Sequence, residues 1–142
     1  MHFLSVSVDD ATAAIGFTAC SDVPRVFGLN EIVLFERELT NYGGYYNTQT
    51  SSFICPVDGV YVFTIAISVD DTNMVVLVMR NDVELSATWA NADTEPYNHA
   101  TNMVVTECLV GDVVWPRVDN IAGTGDLPVA APRGGLGGLQ PP

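Results

Sequence analysis

Residues 41–69 read NYGGYYNTQTSSFICPVDGVYVFTIAISV, and this stretch decides the fold. After the Pro-Val-Asp-Gly turn at 56–59, large apolar residues alternate strictly with smaller or polar ones. The large members are Tyr61, Phe63, Ile65, Ile67 and Val69. A period of two is typical of a β-strand with one face toward a core. The stretch therefore predicts a strand, a polar turn, a second strand, a tight turn and a third strand.

The same stretch resembles the globular head of the C1q/TNF-like superfamily. The family pattern runs Asn-x-Gly-x-x-Tyr, then Thr-Gly-x-Phe-x-Cys/Ala-Pro-Val-x-Gly-x-Tyr-x-Phe, and only Ser51 departs from it, in place of a glycine. Residues 111–118, GDVVWPRV, resemble the family's Gly-Asp-x-Val-Trp-Leu-Gln-Val. The resemblance implies an all-β, ten-stranded antiparallel jelly-roll sandwich. Signature positions of this kind pack the core and identify the fold rather than carry chemistry.

The chain of 142 residues is long enough for one domain with its own core. We expect residues 1–13 to form a loose N-terminal tail and residues 14–142 the globular domain. Ile32–Phe35 is expected to be a short strand, and Leu136–Leu139 could supply the family's last strand. Pro116 lies within a predicted strand, and because proline lacks the ladder N–H, we expect it at an edge or a bulge.

The charge of the chain limits its partners. Seventeen acidic residues face five basic ones, for a net charge of −12. Nucleic acid is excluded as a partner, since a phosphate backbone needs Lys and Arg to displace its counterions. Anionic membrane surfaces are disfavoured for the same reason, and no apolar run is long enough for membrane insertion. The acidity is explained either by solubility or by a requirement for a divalent cation.

Catalysis finds little support in the sequence. The motifs of hydrolases, phosphate loops and zinc proteases are absent. Cys20, Cys55 and Cys108 each lie among apolar residues, so we expect three buried thiols rather than a disulfide, a zinc site or a nucleophile. The sequence therefore predicts a protein that is not an enzyme.

Residues 74–79, MVVLVM, are apolar on both faces of a predicted strand. A strand of this kind is buried on both sides. One face would fill the sandwich, and we expect the other to be covered by a second subunit. With the assembly that the resemblance implies, this predicts a homotrimer.

Asp70, Asp71 and Asn73 place three oxygen-bearing side chains on one predicted turn. Calcium prefers such ligands, although one loop supplies too few, so a partner loop or subunit would complete the shell. The alternative is a solvated turn rich in Asp and Asn. Ca²⁺ is thus an expected but optional ligand.

The segment from residue 89 to residue 101 is expected to be a polar loop that carries ligand-binding residues. Aromatic rings, amides and carboxylates are the groups that bind sugars, and loops commonly carry recognition. The candidates are Trp89, Asp93, Tyr97, Asn98 and His99. Trp89 continues the alternation of Leu85 and Ala87, which predicts a ring buried in the core. The alternative is an ordinary loop with one buried tryptophan.

The resemblance implies secreted, non-catalytic recognition. Stand-alone members of the family act as pattern-recognition lectins of innate immunity that bind microbial glycans, lipopolysaccharide or sialylated glycans. Two alternatives stay open: a structural trimer of an extracellular matrix that binds calcium in bulk, and a TNF-like signalling ligand. The first eight residues lack the basic and apolar parts of a secretion signal, so an extracellular location rests on the resemblance alone.

Overall fold

The computed structural model describes residues 1–7, 14–21, 27–70, 73–92 and 97–120. Within these ranges the chain forms ten β-strands, and all of their pairings are antiparallel. The strands are β1 (His2–Ser7), β2 (Ile15–Cys20), β3 (Arg37–Tyr42), β4 (Tyr46–Asn47), β5 (Ser52–Ile54), β6 (Gly59–Asp70), β7 (Asn73–Arg80), β8 (Val83–Asn91), β9 (Tyr97–Cys108) and β10 (Val113–Asn120).

The strands form two five-stranded sheets. Sheet A has the order β3-β2-β1-β6-β9, and sheet B has the order β4-β5-β10-β7-β8. The inner faces of both sheets contribute to one hydrophobic core, so the predicted all-β sandwich is confirmed. The alternation in β6 is confirmed as well, because the large apolar residues from Tyr61 to Val69 are all buried.

Aromatic rings fill one end of the core. Phe17 stacks on Tyr46 with ring centroids 4.2 Å apart, and Phe3 meets Phe17 edge to face at 5.0 Å. Phe53 and Phe63 continue the cluster at 5.7 Å. Offset-stacked and edge-to-face pairs of this kind add about 0.5–1.5 kcal/mol each beyond the burial of their area. The signature positions of the sequence are therefore core positions.

The N-terminal segment corrects one prediction. His2–Ser7 is not part of a loose tail but the central strand of sheet A, paired with β2 on one side and β6 on the other. Phe3 supplies the physical reason, since its ring is fully buried against Phe17, Phe35 and Phe63. Residues 8–13, like the proposed last strand at Leu136–Leu139, lie outside the described residues.

Two further elements differ from expectation. The polar loop predicted to extend to Thr101 ends earlier, because β9 already begins at Tyr97 and pairs with β6 along its whole length. Residues 32–35 do not form a regular strand; only Ile32 makes a bridge, to Arg117 of β10. Side-chain polarity misleads in the first case, since exposed edge strands accept polar residues on their outer face.

Pro116 occupies the kind of position that its missing N–H requires. The Val33 N–H donates to the Pro116 carbonyl, and the Val118 N–H donates to the Glu31 carbonyl. This side of β10 thus faces the irregular segment 31–33, while the ladder to β7 runs along the other side. The proline removes no hydrogen bond from the regular sheet, as expected.

All three cysteines are buried thiols, as predicted. Cys55 and Cys108 belong to the main core, where the Cys55 thiol donates to the Val57 carbonyl at 3.0 Å. Burial raises the pKa of the Cys108 thiol to about 12. A thiol that stays protonated at neutral pH is a poor nucleophile, so Cys108 behaves as a small apolar residue.

Candidate functional site

The structure separates the residues that were predicted to bind a ligand together. Tyr97 and His99 point outward from sheet A, where Tyr97 is 66% exposed. Trp89 points outward from sheet B, because it packs against Val75 on the outer face of that sheet. Asp93 lies outside the described residues. Because Trp89 and Tyr97 point outward from different sheets, they lie on opposite sides of the sandwich. The two packed sheets between them are themselves about 10 Å apart.

Asn98 holds the two sheet edges together between these faces. Its side-chain amide donates to the Asn91 carbonyl, so it links β9 of sheet A to β8 of sheet B. Asn102, four residues further along β9, makes a second link of this kind, with its amide donating to the Ala87 carbonyl at 3.1 Å. Asn98 is therefore a link between the two sheets. Because Trp89 and Tyr97 lie on opposite outer faces, one small sugar cannot contact both.

The outward position of Trp89 corrects the prediction of a ring buried in the core. A β-bulge makes Val78 pair with Ser86 and Met79 with Glu84, which leaves Leu85 as the extra residue. A bulge of this kind reverses the phase of alternation. Leu85 packs against the core, whereas Ala87 and Trp89 pack on the outer face.

The outer face of sheet B also carries the second tryptophan. Val75, Leu77 and Met79 of β7 form an apolar strip on this face, and Ala87, Trp89 and Trp115 pack against it. Leu77 is 0% exposed. The strand is buried on both faces, as predicted. The prediction that a second subunit covers its outer face is wrong, because side chains of the same chain bury the strip.

Trp115 is fixed in place by the turn between β7 and β8. Its indole N–H donates to the Asn81 carbonyl at 3.0 Å. Asn81 in turn accepts from the Val113 N–H and donates to Asp112, each at 3.0 Å. The indole ring is thus hydrogen-bonded to the β7–β8 turn, which is itself hydrogen-bonded to the start of β10, and these bonds fix the orientation of the ring.

Three half-buried polar side chains on this face have a buried atom without a hydrogen-bond partner. These atoms are Nε of Arg117, Oε1 of Glu84 and Nε1 of Trp89. Trp115, Met79 and Glu84 share one row across the sheet, and Arg117, Leu77 and Ala87 share another. Unsatisfied buried polar atoms are uncommon in native proteins. The three on this face are spread along it, because Glu84, Arg117 and Trp89 lie in three different rows of the sheet.

Sequence reasoning missed Trp115 and Arg117 as candidates. Both lie in the family-like motif at 111–118, which suggested a purely structural role. The signal that could have found them is their alternation with Val114 and Val118, which are buried in the core. Residues between two core positions of a strand point to the other face.

The outer face of sheet A has a different character. The outward residues of β6 from Val60 to Ser68 include no charged side chain, and Val60 is 65% exposed. The neighbouring strand β9 adds exposed Met103 and Val105 to this face. On the same face, His99 Nδ1 and Ser68 Oγ share a hydrogen bond of 2.7 Å. We call this surface the sheet A face.

The proposed calcium ligands are not assembled by the described residues. Asn73 is the first residue of β7 and is 0% exposed, so its side chain does not lie on a solvated turn. The side chains of Asp70 and Asp71 lie outside what the structure describes. Within the described ranges no three His, Cys, Asp or Glu residues are placed to share a metal ion. The calcium site stays a prediction.

The two antiparallel sheets and the common aromatic core define the class of protein as a jelly-roll β-sandwich. The family model of the C1q domain matches residues 16–128, and the chain belongs to this family. C1q-domain proteins are in general non-catalytic. In the described part of the chain, no helix has the length and apolar character needed to span a bilayer.

Relatives and a solved structure agree with this placement. The chain is 31% identical over 111 residues to mouse complement C1q and tumor necrosis factor-related protein 9, covering 78% of this chain and 32% of the relative. Over 95 residues it is 32% identical to zebrafish Caprin-2, covering 63% of this chain and 10% of that protein. The chain thus spans a third or less of these relatives' lengths.

The globular domain of zebrafish complement 1qA protein superposes with a TM-score of 0.63, at 19% identity, over 89% of this chain and 87% of that one. A likeness at this identity supports the fold alone.

Proposed function

We propose that this chain is a secreted, non-catalytic recognition module that assembles as a homotrimer and binds glycans, as a pattern-recognition lectin of innate immunity does. The observation that carries the glycan proposal is that both tryptophans of the chain, Trp89 and Trp115, lie on the same outer face of sheet B. Aromatic rings offer an apolar plate to the C–H face of a sugar.

The sheet A face supports self-assembly. A chain with a net charge of −12 repels its own copies unless the contact region is nearly uncharged. The outward residues of β6 from Val60 to Ser68 meet that condition, and Met103 and Val105 of β9 widen the apolar area. Exposed apolar patches rimmed by polar residues mark interaction sites. The proposed occupant is a second and third copy of the same chain.

A glycan and lipopolysaccharide screen, with and without calcium, tests the proposed function. We expect binding to at least one microbial or sialylated glycan. The absence of binding to all glycans under both conditions would exclude the lectin proposal. Many weak calcium sites, measured by titration, would instead favour a structural matrix protein.

A calcium requirement is proposed as an optional part of this function. If Asp70 and Asp71 hold a bridging ion, then EDTA and the double variant Asp70→Ala/Asp71→Ala should each weaken binding of an anionic glycan. Binding that persists in both cases would remove calcium from the mechanism without affecting the glycan proposal.

Two alanine variants separate the two outer faces. We expect Trp89→Ala to weaken glycan binding, because its ring belongs to the face with both indoles. Tyr97→Ala removes an equally suitable aromatic ring from the sheet A face. Loss of binding in Tyr97→Ala alone would move the site to sheet A, as the sequence predicted.

A further inference from the structure

The guanidinium of Arg117 makes few hydrogen bonds within the protein. Among its described contacts, the guanidinium makes one long hydrogen bond, from Nη1 to Asn30 Oδ1 at 3.4 Å, while Nε has no partner. Arg80 on the neighbouring strand β7 differs, because its Nη1 donates to Thr106 Oγ1 at 2.7 Å and to the Glu107 carbonyl at 2.6 Å. Arg117 therefore has hydrogen-bonding capacity left for a ligand.

The three unpartnered atoms of this face specify what a ligand would have to supply. Arg117 and Trp89 each have an N–H donor without an acceptor, and Glu84 has a carboxylate oxygen without a donor. All three side chains are partly exposed, so a side-chain rotation can bring these atoms to a ligand. An acceptor-rich anionic group and neighbouring hydroxyls would satisfy them together.

The spacing of the indoles sets the size of the ligand. Trp115 lies in the row of Met79 and Trp89 in the row of Val75, four residues along β7 and two strands apart. At roughly 3.4 Å per residue and 4.8 Å per strand, the two tryptophans are about 17 Å apart at their backbones. Arg117 lies between these rows, opposite Leu77. The face thus suits a short oligosaccharide with an acidic group in contact with Arg117.

We infer that the outer face of sheet B binds a carboxylate-bearing saccharide, with Arg117 on the carboxylate, Glu84 on a hydroxyl and the two indoles against sugar C–H faces. This inference rests on the proposed glycan-binding function and adds the residues of this face that would contact each group of the ligand. A planar guanidinium matches a carboxylate with two parallel hydrogen bonds. A neutral sugar would leave that fork without its counter-charge.

The test uses the two indole N–H signals of the ¹⁵N-labelled chain, which contains only two tryptophans. The probes are 3′-sialyllactose and its neutral counterpart, lactose, and the signals are assigned with Trp89→Phe and Trp115→Phe. We expect both indole signals to shift to saturation with sialyllactose and not with lactose. Arg117→Gln should raise the Kd at least tenfold with an unchanged melting temperature, and Tyr97→Ala should leave it unchanged.

Several outcomes would overturn the inference. If sialyllactose binds but the indole signals stay fixed and Arg117→Gln binds equally well, the site lies elsewhere while the glycan function stands. Equal shifts with lactose would exclude the acidic specificity. Indole shifts on dilution of the free chain, or on truncation after Asn120, would show that a second copy or the chain's own C-terminal segment occupies the face. A screen without any glycan ligand would reject both proposals.

Discussion

At the scale of single residues, Ser51 shows how the chain tolerates its one departure from the family pattern within residues 41–69. Ser51 has a φ of 49°, in the left-handed region that favours glycine. Its buried Oγ accepts the Phe35 N–H at 2.8 Å, and Tyr46 donates its hydroxyl to the Phe35 carbonyl at 2.8 Å. Both backbone groups of Phe35 are thereby satisfied inside the core. The hydrogen bond offsets the conformational cost of a side chain at this position.

Two substitutions at this position should differ in stability. Ser51→Ala keeps the unfavourable φ and leaves the Phe35 N–H without a partner, so we expect a loss of about 1–3 kcal/mol in the free energy of unfolding. Ser51→Gly loses the same bond but relieves the backbone, so its loss should be smaller. Urea unfolding measures both. An alanine variant as stable as the parent would contradict this account.

Asp112 should make the protein sensitive to acid. Its carboxylate accepts the Leu109 N–H at 2.9 Å and the Asn81 amide at 3.0 Å, and these bonds lower the pKa of Asp112. Because the pKa of Asp112 is lower in the folded than in the unfolded chain, its contribution to stability is fully present above the unfolded pKa of about 3.9. The contribution is lost as the pH falls through the folded pKa. We expect the stability difference between the parent and Asp112→Asn to disappear in that range.

Urea midpoints of both proteins at a series of pH values measure this effect. Asp82→Asn, which removes one negative charge from the turn beside Asn81, is the control for the change in net charge. A difference between parent and Asp112→Asn that is independent of pH would show that the charge is not the cause.

At the scale of elements, β1 decides the integrity of sheet A. It is hydrogen-bonded on both sides, and Phe3 carries its apolar side chain into the aromatic cluster. We expect Phe3→Ala to lower the free energy of unfolding by about 3–5 kcal/mol, the usual cost of deleting a buried phenylalanine. Leu4→Ala, on the outer face of the same strand, is the control and should cost less. Equal losses in both would show that β1 contributes through its backbone alone.

The sequence predicts those elements whose pattern is local. The alternation in β6 and the apolar run of β7 are visible within each strand, so both strands and their buried residues are predicted correctly. The role of β1 depends on pairing with β6, about sixty residues away, for which a six-residue segment carries no local signal. The face of Trp89 depends on a bulge opposite Val78, and a one-residue change in phase is invisible in a simple alternation.

The residues of the candidate site can be only partly predicted from the sequence, for the same reason. Trp89 was identified as an aromatic candidate, but its neighbours on the face come from β10, a strand far away in sequence. The grouping of Trp89 with Tyr97 followed their closeness in sequence. Adjacent strands at the edge of a sandwich can belong to different sheets, and here β8 and β9 do. Sequence proximity across such a corner does not place two side chains on one surface.

At the scale of the whole molecule, the two outer faces divide the proposed functions. The sheet A face exposes apolar residues and carries no charged side chain along β6, whereas the outer face of sheet B covers its apolar strip with its own tryptophans. An exposed apolar face requires a cover more than a face that is already covered. The contact between copies is therefore expected on sheet A, which leaves sheet B open to a ligand in the assembled protein.

A charge placed on the sheet A face should dissociate the assembly. For the parent, we expect a sedimentation mass near three times 15.2 kDa at micromolar concentration. Val105→Glu puts a carboxylate in the centre of the apolar area, where burial against another copy would leave it unpaired, so the mass should fall to that of one chain. Val83→Glu is the matched control, because Val83 is an exposed valine on sheet B, and its mass should stay that of the parent. A parent that sediments as a monomer would reject the trimer, and dissociation by Val83→Glu but not by Val105→Glu would move the contact to sheet B.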